Sequence, residues 1–348
     1  MDKEAMTPHE RLMGVFEGKP ADRVLVVPIV REWCARQVGF TFSELMNSAS
    51  KQVFAQYYCA KLFGTDALWD LWGIHAEAET MGSVLDIPDD DRCYVEIPAI
   101  KNYDEDLSKM KLLNPHKDGR LPLILEGIRQ LKDLSGGRYP VLGYVNAPFR
   151  LASMLRGSES MLKDCEVGDT HLEEFLNFCT DALIIYATVV VQSGADLIWI
   201  SDPTSSGDKI SKETWITYGL PYSKRLVKSL KNNRVNVFMH ICGNTNDRLD
   251  TFAETGVDGM SLSEKVDLAH ARKIMGDDII LWGNVDLKNE TAFSTPAEIE
   301  EQAKASIEKG MGKKVNFVLS SGCMTLAEVP PENIKAMVNA AHKYGQYS

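Results

Sequence analysis

Eight apolar runs of strand length, each closed off by turn-forming residues, recur along the chain at 24–30, 66–72, 140–146, 195–201, 235–241, 257–262, 279–284 and 315–321. Helical patterns fill the intervals at 42–63, 119–135, 158–193, 211–232, 296–310 and 331–344, several opened by capping residues such as Ser211 and the Thr295-Pro296 pair. Alternation of strand and helix implies a parallel sheet, and eight such units favour closure into a (β/α)8 TIM barrel over an open sheet. No Gly/Ser-rich or Pro-rich linker divides the 348 residues, so 1–348 reads as one α/β barrel domain with a helix ahead of its first strand.

One interval departs from the pattern. From Gly82 to Pro98 short alternating segments flank Asp89-Asp90-Asp91, which predicts a hairpin insertion after the second strand with a solvated acidic turn. A composition that is 44% hydrophobic can fill a large core, and a formal net charge of −11 argues against nucleic acid or an anionic membrane as partner. No apolar run is expected to reach the length of a membrane span, and Met1 to Phe16 carries acidic residues without an apolar signal core, which points to the cytoplasm. The seven cysteines are odd in number and scattered, unlike a disulfide framework, and most are expected to be small buried hydrophobes.

In such a barrel the chemistry sits at the C-terminal ends of the strands. Those ends are predicted to carry Arg31, Trp72, Asn146, Asp202, His240, Cys242, Glu264, Asn284 and Cys323. A His-x-Cys pair alone says little, because a buried histidine beside a buried cysteine is common. Here His240 and Cys242 end the fifth run while Cys323, in Ser320-Ser321-Gly322-Cys323, ends the eighth. Three nitrogen and sulfur donors arriving on one rim from separate strands suit a catalytic zinc, whereas a structural zinc gathers its ligands from short local loops. The chain has no Walker-type phosphate loop and no dinucleotide fingerprint.

Several ordered segments resemble the uroporphyrinogen decarboxylase superfamily and, within it, the zinc-dependent corrinoid methyltransferases. They are Arg11 to Pro28, Asn146-Ala147-Pro148-Phe149, Gly194-Ala195-Asp196, Ser201-Asp202-Pro203, His240-Ile241-Cys242-Gly243-Asn244, Trp282-Gly283-Asn284-Val285-Asp286, and Gly322-Cys323 leading to Pro331-Glu332-Asn333-Ile334. The decarboxylase pattern itself is broken. Its Met-Arg-Gln-Ala-Gly-Arg stretch is here Ala35-Arg36-Gln37-Val38-Gly39-Phe40, without the second arginine, and Cys323 replaces the histidine of its Gly-His-Gly. The methyltransferase resemblance implies that His240, Cys242 and Cys323 hold zinc. A wider resemblance, to cobalamin-independent methionine synthase, implies Glu264 as a further ligand. No Asp-x-His-x-x-Gly corrinoid signature occurs, since Asp267-Leu268-Ala269-His270 has the wrong spacing, so a corrinoid (cobalamin) is expected on a separate partner protein.

Two half-reactions fit these expectations. The first takes a methyl group from a methoxylated aromatic compound to cobalt, with the metal acting on the departing phenolate. For this O-demethylation the expected pocket includes Trp72, Trp199 and Phe149, with Arg31 and Arg150 for an anionic group and Glu77 and Glu79 matching an acidic pair of the family. The second passes methyl from a methyl-corrinoid to a small thiol such as coenzyme M, the metal making the thiolate. Asp202, Asn146 and Asn284 are expected to orient the zinc histidine or act at the departing atom, Asp202 being the first choice. His75 reads as a packed or exposed loop histidine. A decarboxylase-like lyase and a non-catalytic zinc protein are the weaker alternatives, and a homodimer is left open.

Overall fold

A computed structural model describes residues 5–70, 72–89, 93–287 and 294–347. All eight apolar runs contain a strand of one parallel sheet. The strands are β1 (Leu25–Val26), β2 (Leu68–Asp70), then, after the small pair β3 (Val84–Asp86) and β4 (Tyr94–Ile97), β5 (Val141–Asn146), β6 (Leu197–Ser201), β7 (Asn236–Ile241), β8 (Gly259–Leu262), β9 (Ile280–Val285) and β10 (Phe317–Ser321). Their order is β1-β10-β9-β8-β7-β6-β5-β2, with every neighbour parallel. Parallel pairing with helices outside leaves both faces covered, and β5, β6, β8 and β10 are buried at every position.

The two end strands meet through a buried charge cluster instead of a ladder. Asp66 donates its backbone N–H to the carbonyl of Val26 at 2.8 Å and accepts the Val26 N–H on Oδ2 at 2.7 Å, so its carboxylate continues the pairing where backbone runs out. Arg23 Nη1 donates to the same oxygen at 2.7 Å, and Arg11 Nη1, from the first helix, to Oδ1 at 2.9 Å. That helix, Pro8–Glu17, starts in a capping box between Thr7 and Glu10 and stops at Gly18, whose φ of 62° is the left-handed conformation glycine takes without strain.

Register across the barrel fixes the height of the polar residues. Asn146 pairs with Ser201, Ser201 with His240, His240 with Ser261, and Ser261 with Trp282, a single row running around the C-terminal half. The row below holds Tyr144, Trp199, Phe238 and Gly259. Gly259 is needed there, since a Cβ would press into the Phe238 ring and lie 2.6 Å from the Ile280 carbonyl oxygen. Trp69, Trp199, Phe238 and Trp282 fill the barrel edge to face, with ring centroids 4.9 Å apart for Trp69–Trp199, Trp199–Trp282 and Phe238–Trp282.

Three expected helices are broken for local reasons. The 42–63 stretch becomes Phe42–Met46 and Ala49–Phe63 because Ser48 caps a second start, accepting the Lys51 N–H at 3.3 Å. The 158–193 stretch divides at Gly168, left-handed at φ 66°, into Ser158–Val167 and Leu172–Gln192. In 211–232 a π-helical turn, Trp215–Gly219, precedes Leu220–Asn232, as Pro221 offers no N–H to the preceding turn. Contrary to expectation, Leu172–Gln192 is long and apolar enough to cross a membrane; it is a core helix, burying Phe175, Leu176, Cys179, Leu183, Tyr186 and Val190 against the barrel. The hairpin insertion is present as the antiparallel pair β3–β4, and Asp89, in the turn between them, accepts the Phe42 N–H on its carbonyl at 2.7 Å. Asp90 and Asp91 of the acidic turn lie outside the described residues.

Candidate metal centre and its cavity

β7 delivers His240 to the top of the barrel with 5% of its surface exposed. Ser261, its register partner on β8, meets Nδ1 at 2.9 Å, which leaves Nε2 facing Cys242 Sγ at 3.2 Å. The imidazole also lies nearly parallel to Trp199, with centroids 5.6 Å apart and planes at 23°. Beyond the strand end the chain turns through Gly243, where φ is 83° and a Cβ would meet Ser206 and Asp208, so Cys242 is held close under the rim. Cys323, buried after β10, reaches the same point, with its Cα 6.2 Å from that of Cys242. His240, Cys242 and Cys323 each place a ligand atom within 4.8 Å of the others.

The two sulfurs are joined as a disulfide, the one pairing among the described residues and one not expected from the scattered cysteines. Cys34, Cys59, Cys93 and Cys179 are buried thiols and Cys165 is a half-buried one. A tetrahedral zinc holds nitrogen and sulfur ligands about 3.5 Å apart and two sulfurs about 3.8 Å apart. The imidazole–sulfur distance of 3.2 Å is about 0.3 Å short of the first of these. Reduced and parted from one another, the cysteines would offer a metal two sulfur donors beside the imidazole.

Glu264 stands beside them. Gly322 packs so tightly on it that a Cβ there would be 2.6 Å from Glu264 Oε2, and that oxygen is buried with no hydrogen-bond partner. This orphaned carboxylate oxygen lies next to the Cys323 turn, while Glu264 itself lies outside the tight trio. Asn284 is not in the cavity. Its Nδ2 donates to the carbonyls of Ser263 at 2.9 Å and Val266 at 2.7 Å, bracing the loop that carries Glu264.

The trio opens into a cavity of about 290 Å³, whose wall includes Arg31, His75, Cys93, Tyr144, Arg150 and Trp199. Of the expected aromatic wall, only Trp199 lines it. Trp72 and Phe149 are fully buried in packing. Glu79 is also elsewhere, held by Arg120 Nε at 2.7 Å. Asp202 does not touch the imidazole. Its carboxylate accepts Ser205 N–H at 3.2 Å and Ser205 Oγ–H at 2.6 Å, and its backbone N–H bonds the His240 carbonyl at 2.8 Å. Burial pushes its carboxyl up to about 6 despite those bonds.

Asn146 anchors a buried chain. Its backbone N–H and Nδ2 donate to the two oxygens of Glu77 at 3.1 and 2.8 Å, while its Oδ1 accepts Arg150 Nε at 2.6 Å and the Tyr144 hydroxyl at 3.0 Å. Glu77 is wholly buried, and desolvation raises its carboxyl to about 7. Arg31 is 2% exposed, lies over the Phe42 ring at 4.7 Å and pairs through Nη2 with Glu32. Its Nε and Nη1 have no partner.

Cys93 and Ser261 were not singled out from the sequence, and His75, read there as a packed or exposed loop histidine, lines the cavity. Burial holds the His75 imidazole neutral, helped by the charges of Arg150, Arg31 and Arg120, which lower its pKa to about 2. Burial likewise lifts the Cys93 thiol to about 11. Neither position carries a sequence pattern, because the long βα loop and the hairpin return bring them in only through tertiary structure. Ser261 did carry a signal, as a lone hydroxyl between Met260 and Leu262 at the height of His240.

Known proteins agree with this architecture. The sequence profile of the uroporphyrinogen decarboxylase (URO-D) family matches residues 7–344. A methylcobamide:CoM methyltransferase, MtbA, of Methanosarcina acetivorans is 31% identical over 97% of this chain and 98% of its own length. A uroporphyrinogen decarboxylase of Trichlorobacter lovleyi is 26% identical over 97% of this chain and 99% of its own. Among solved structures, a methyltransferase from Methanosarcina mazei superposes with a TM-score of 0.88 at 26% identity, covering 97% of this chain and 99% of the other. The chain therefore belongs to the uroporphyrinogen decarboxylase family.

Proposed function

We propose that this protein is a corrinoid-dependent methyltransferase that passes a methyl group from the cobalt of a methyl-corrinoid, carried by a separate protein, to a small thiol bound beside a zinc ion. The observation that carries the reading is the meeting of His240, Cys242 and Cys323 at the mouth of an enclosed cavity on the C-terminal rim. His240 and the two cysteines would hold the metal through Nε2 and two thiolates, with Glu264 the candidate fourth donor. Bound there, zinc supplies a Lewis acid that lowers a thiol's pKa, which for an alkyl thiol is about 8.5. Ser261 fixes which imidazole nitrogen faces the metal. Ile29, Ile74 and Met324 on the cavity wall exclude water from the sulfur. The transfer balances: the sulfur lone pair forms the S–CH3 bond, and the Co–CH3 electron pair stays on cobalt.

The thiol reading supersedes the preference for a methoxylated aromatic donor. Relatives named for methyl transfer to coenzyme M support it, among them the MtbA of Methanosarcina acetivorans. The wall supports it too, since Trp72 and Phe149 are committed to packing and only one indole faces the cavity. Ligand thiols also require a reducing compartment, in keeping with the cytoplasm. The test is to mix the zinc-loaded protein with methylcob(III)alamin and a panel of thiols, and separately with cob(I)alamin and methoxybenzoates, following cobalt absorbance. Thiol-dependent demethylation is expected; methylation of cobalt by an ether, with thiols inert, would overturn the reading.

A further inference from the structure

Two contacts of different kinds fix the imidazole of His240. In the plane of the ring, Ser261 meets Nδ1 at 2.9 Å and leaves Nε2 toward Cys242 Sγ at 3.2 Å. A single in-plane hydrogen bond still lets the ring tilt about the line of that bond, and tilting swings Nε2 away from the sulfur. Trp199 opposes the tilt. It stands on neighbouring β6, two positions below Ser201, the register partner of His240. Its indole lies along the imidazole with centroids 5.6 Å apart and planes at 23°. The indole itself has little freedom: it is 1% exposed, meets Trp69 and Trp282 edge to face at 4.9 Å, and stacks on Phe238 at 6.3 Å. Trp69 is tied in turn through Nε1 to the Pro28 carbonyl at 2.9 Å. The aromatic plug of the barrel and the histidine therefore form one stack. Position 199 lies in the apolar run Leu197-Ile198-Trp199-Ile200, where an aliphatic side chain would suit the strand as well. What an aliphatic residue lacks is a ring face.

We infer that Trp199 is a positioning residue of the metal centre, whose π face holds His240 in line with the sulfurs and favours its metal-bound form. The inference rests on the reading of His240, Cys242 and Cys323 as zinc ligands, and not on which molecule gives or receives a methyl group. An imidazole that lends a lone pair to a dication is positively polarised, and an indole face is the negative side of the aromatic quadrupole. The contact is therefore stronger with the ion bound than with the imidazole neutral and free. By linkage, that difference is metal affinity. Burial strengthens it, since His240 is 5% exposed and little water screens the two rings.

The test measures zinc affinity of the reduced protein by competition with a chromophoric chelator, in wild type, Trp199→Phe and Trp199→Leu, beside urea unfolding of each. Both substitutions shrink a core ring, so both are expected to lower stability. Zinc affinity should tell them apart. It is expected to be about 10-fold weaker in Trp199→Leu and within about threefold of wild type in Trp199→Phe, which keeps an aromatic face. An unchanged affinity in Trp199→Leu, or losses that follow the stability of the two variants and not the presence of a ring, would overturn the inference. Tryptophan emission gives a second readout that needs only the milder variant. Zinc added to the reduced wild type is expected to change the emission, because the ion binds one ring away from Trp199, and most of that change should disappear in Trp199→Phe. A change of undiminished size there would overturn the contact. None of these measurements involves a methyl donor, so the expected affinities with no thiol methylated uphold the inference while the methyl-transfer reading falls; a reduced wild type that binds no zinc refutes it.

Discussion

Ser261 illustrates how much of this site depends on groups that would never coordinate anything. Its hydroxyl, 2.9 Å from His240 Nδ1, sits one strand away in register, so the imidazole is oriented by the sheet itself. Partners of this kind commonly contribute 10- to 100-fold in metal affinity. Ser261→Ala is accordingly expected to weaken zinc binding by about that factor while leaving the fold intact, as competition with a chromophoric chelator would reveal. Glu77 makes a different prediction. Burial raises its carboxyl from an ordinary 4.5 to about 7, so the folded protein keeps a proton that the unfolded chain gives up. The resulting stabilisation is complete below pH 4.5 and is lost as pH climbs through 7, amounting to roughly 3 kcal/mol for that group. Denaturant titrations of wild type and Glu77→Gln across pH 4.5 to 7.5 should show the wild type losing stability relative to the variant as pH rises; parallel curves would contradict the assignment. Of these residues, His240, Cys242, Cys323, Asn146 and the arginines were legible because an unusual side chain stood at a strand end. Arg31's orphaned donors, the neutrality of His75 and the retreat of Trp72 into packing were not, because they depend on which neighbours the fold supplies.

At the scale of elements, the β1–β2 seam is where the barrel is most exposed to a single substitution. Asp66 stands in for a missing ladder and accepts hydrogen bonds from both Arg11 and Arg23. Removing it takes a buried acceptor from both guanidinium groups and from the Val26 N–H, a loss of about 3 to 5 kcal/mol. Asp66→Ala should therefore lower the free energy of unfolding by that amount in urea titrations, whereas Lys314→Ala, whose exposed pair with Asp278 spans 2.7 Å, should change it by less than about 1 kcal/mol. Strand positions were readable because parallel strands buried on both faces appear as continuous apolar runs. Helix ends were less so. The breaks at Ser48, Gly168 and Pro221 lie inside stretches whose periodicity carries on across them, and only the cap, the left-handed glycine and the missing N–H reveal the interruption. The apolar length of Leu172–Gln192 was likewise missed, since half its surface faces the barrel and half faces out.

Taken as a molecule, the protein brings side chains from the ends of β7 and β10 together on one rim of a barrel plugged by Trp69, Trp199, Phe238 and Trp282. The proposed function would have a methyl-corrinoid approach the rim where the cavity lies, above that plug. The barrel class was legible from the count of alternating units, and the meeting of His240, Cys242 and Cys323 from strand ends. The choice of methyl donor was not, because aromatic residues serve cores and pockets alike, and only packing tells them apart. Everything in the proposed chemistry depends on His240, Cys242 and Cys323 clasping one ion. Zinc-edge X-ray absorption on the reduced, zinc-reconstituted protein tests this most directly. The expected spectrum has one zinc per chain with two sulfurs at about 2.3 Å and a nitrogen at about 2.0 Å, falling to one sulfur and diminished zinc content in Cys323→Ala. A reduced wild type that retains no zinc, or a spectrum unchanged by Cys323→Ala, would contradict it.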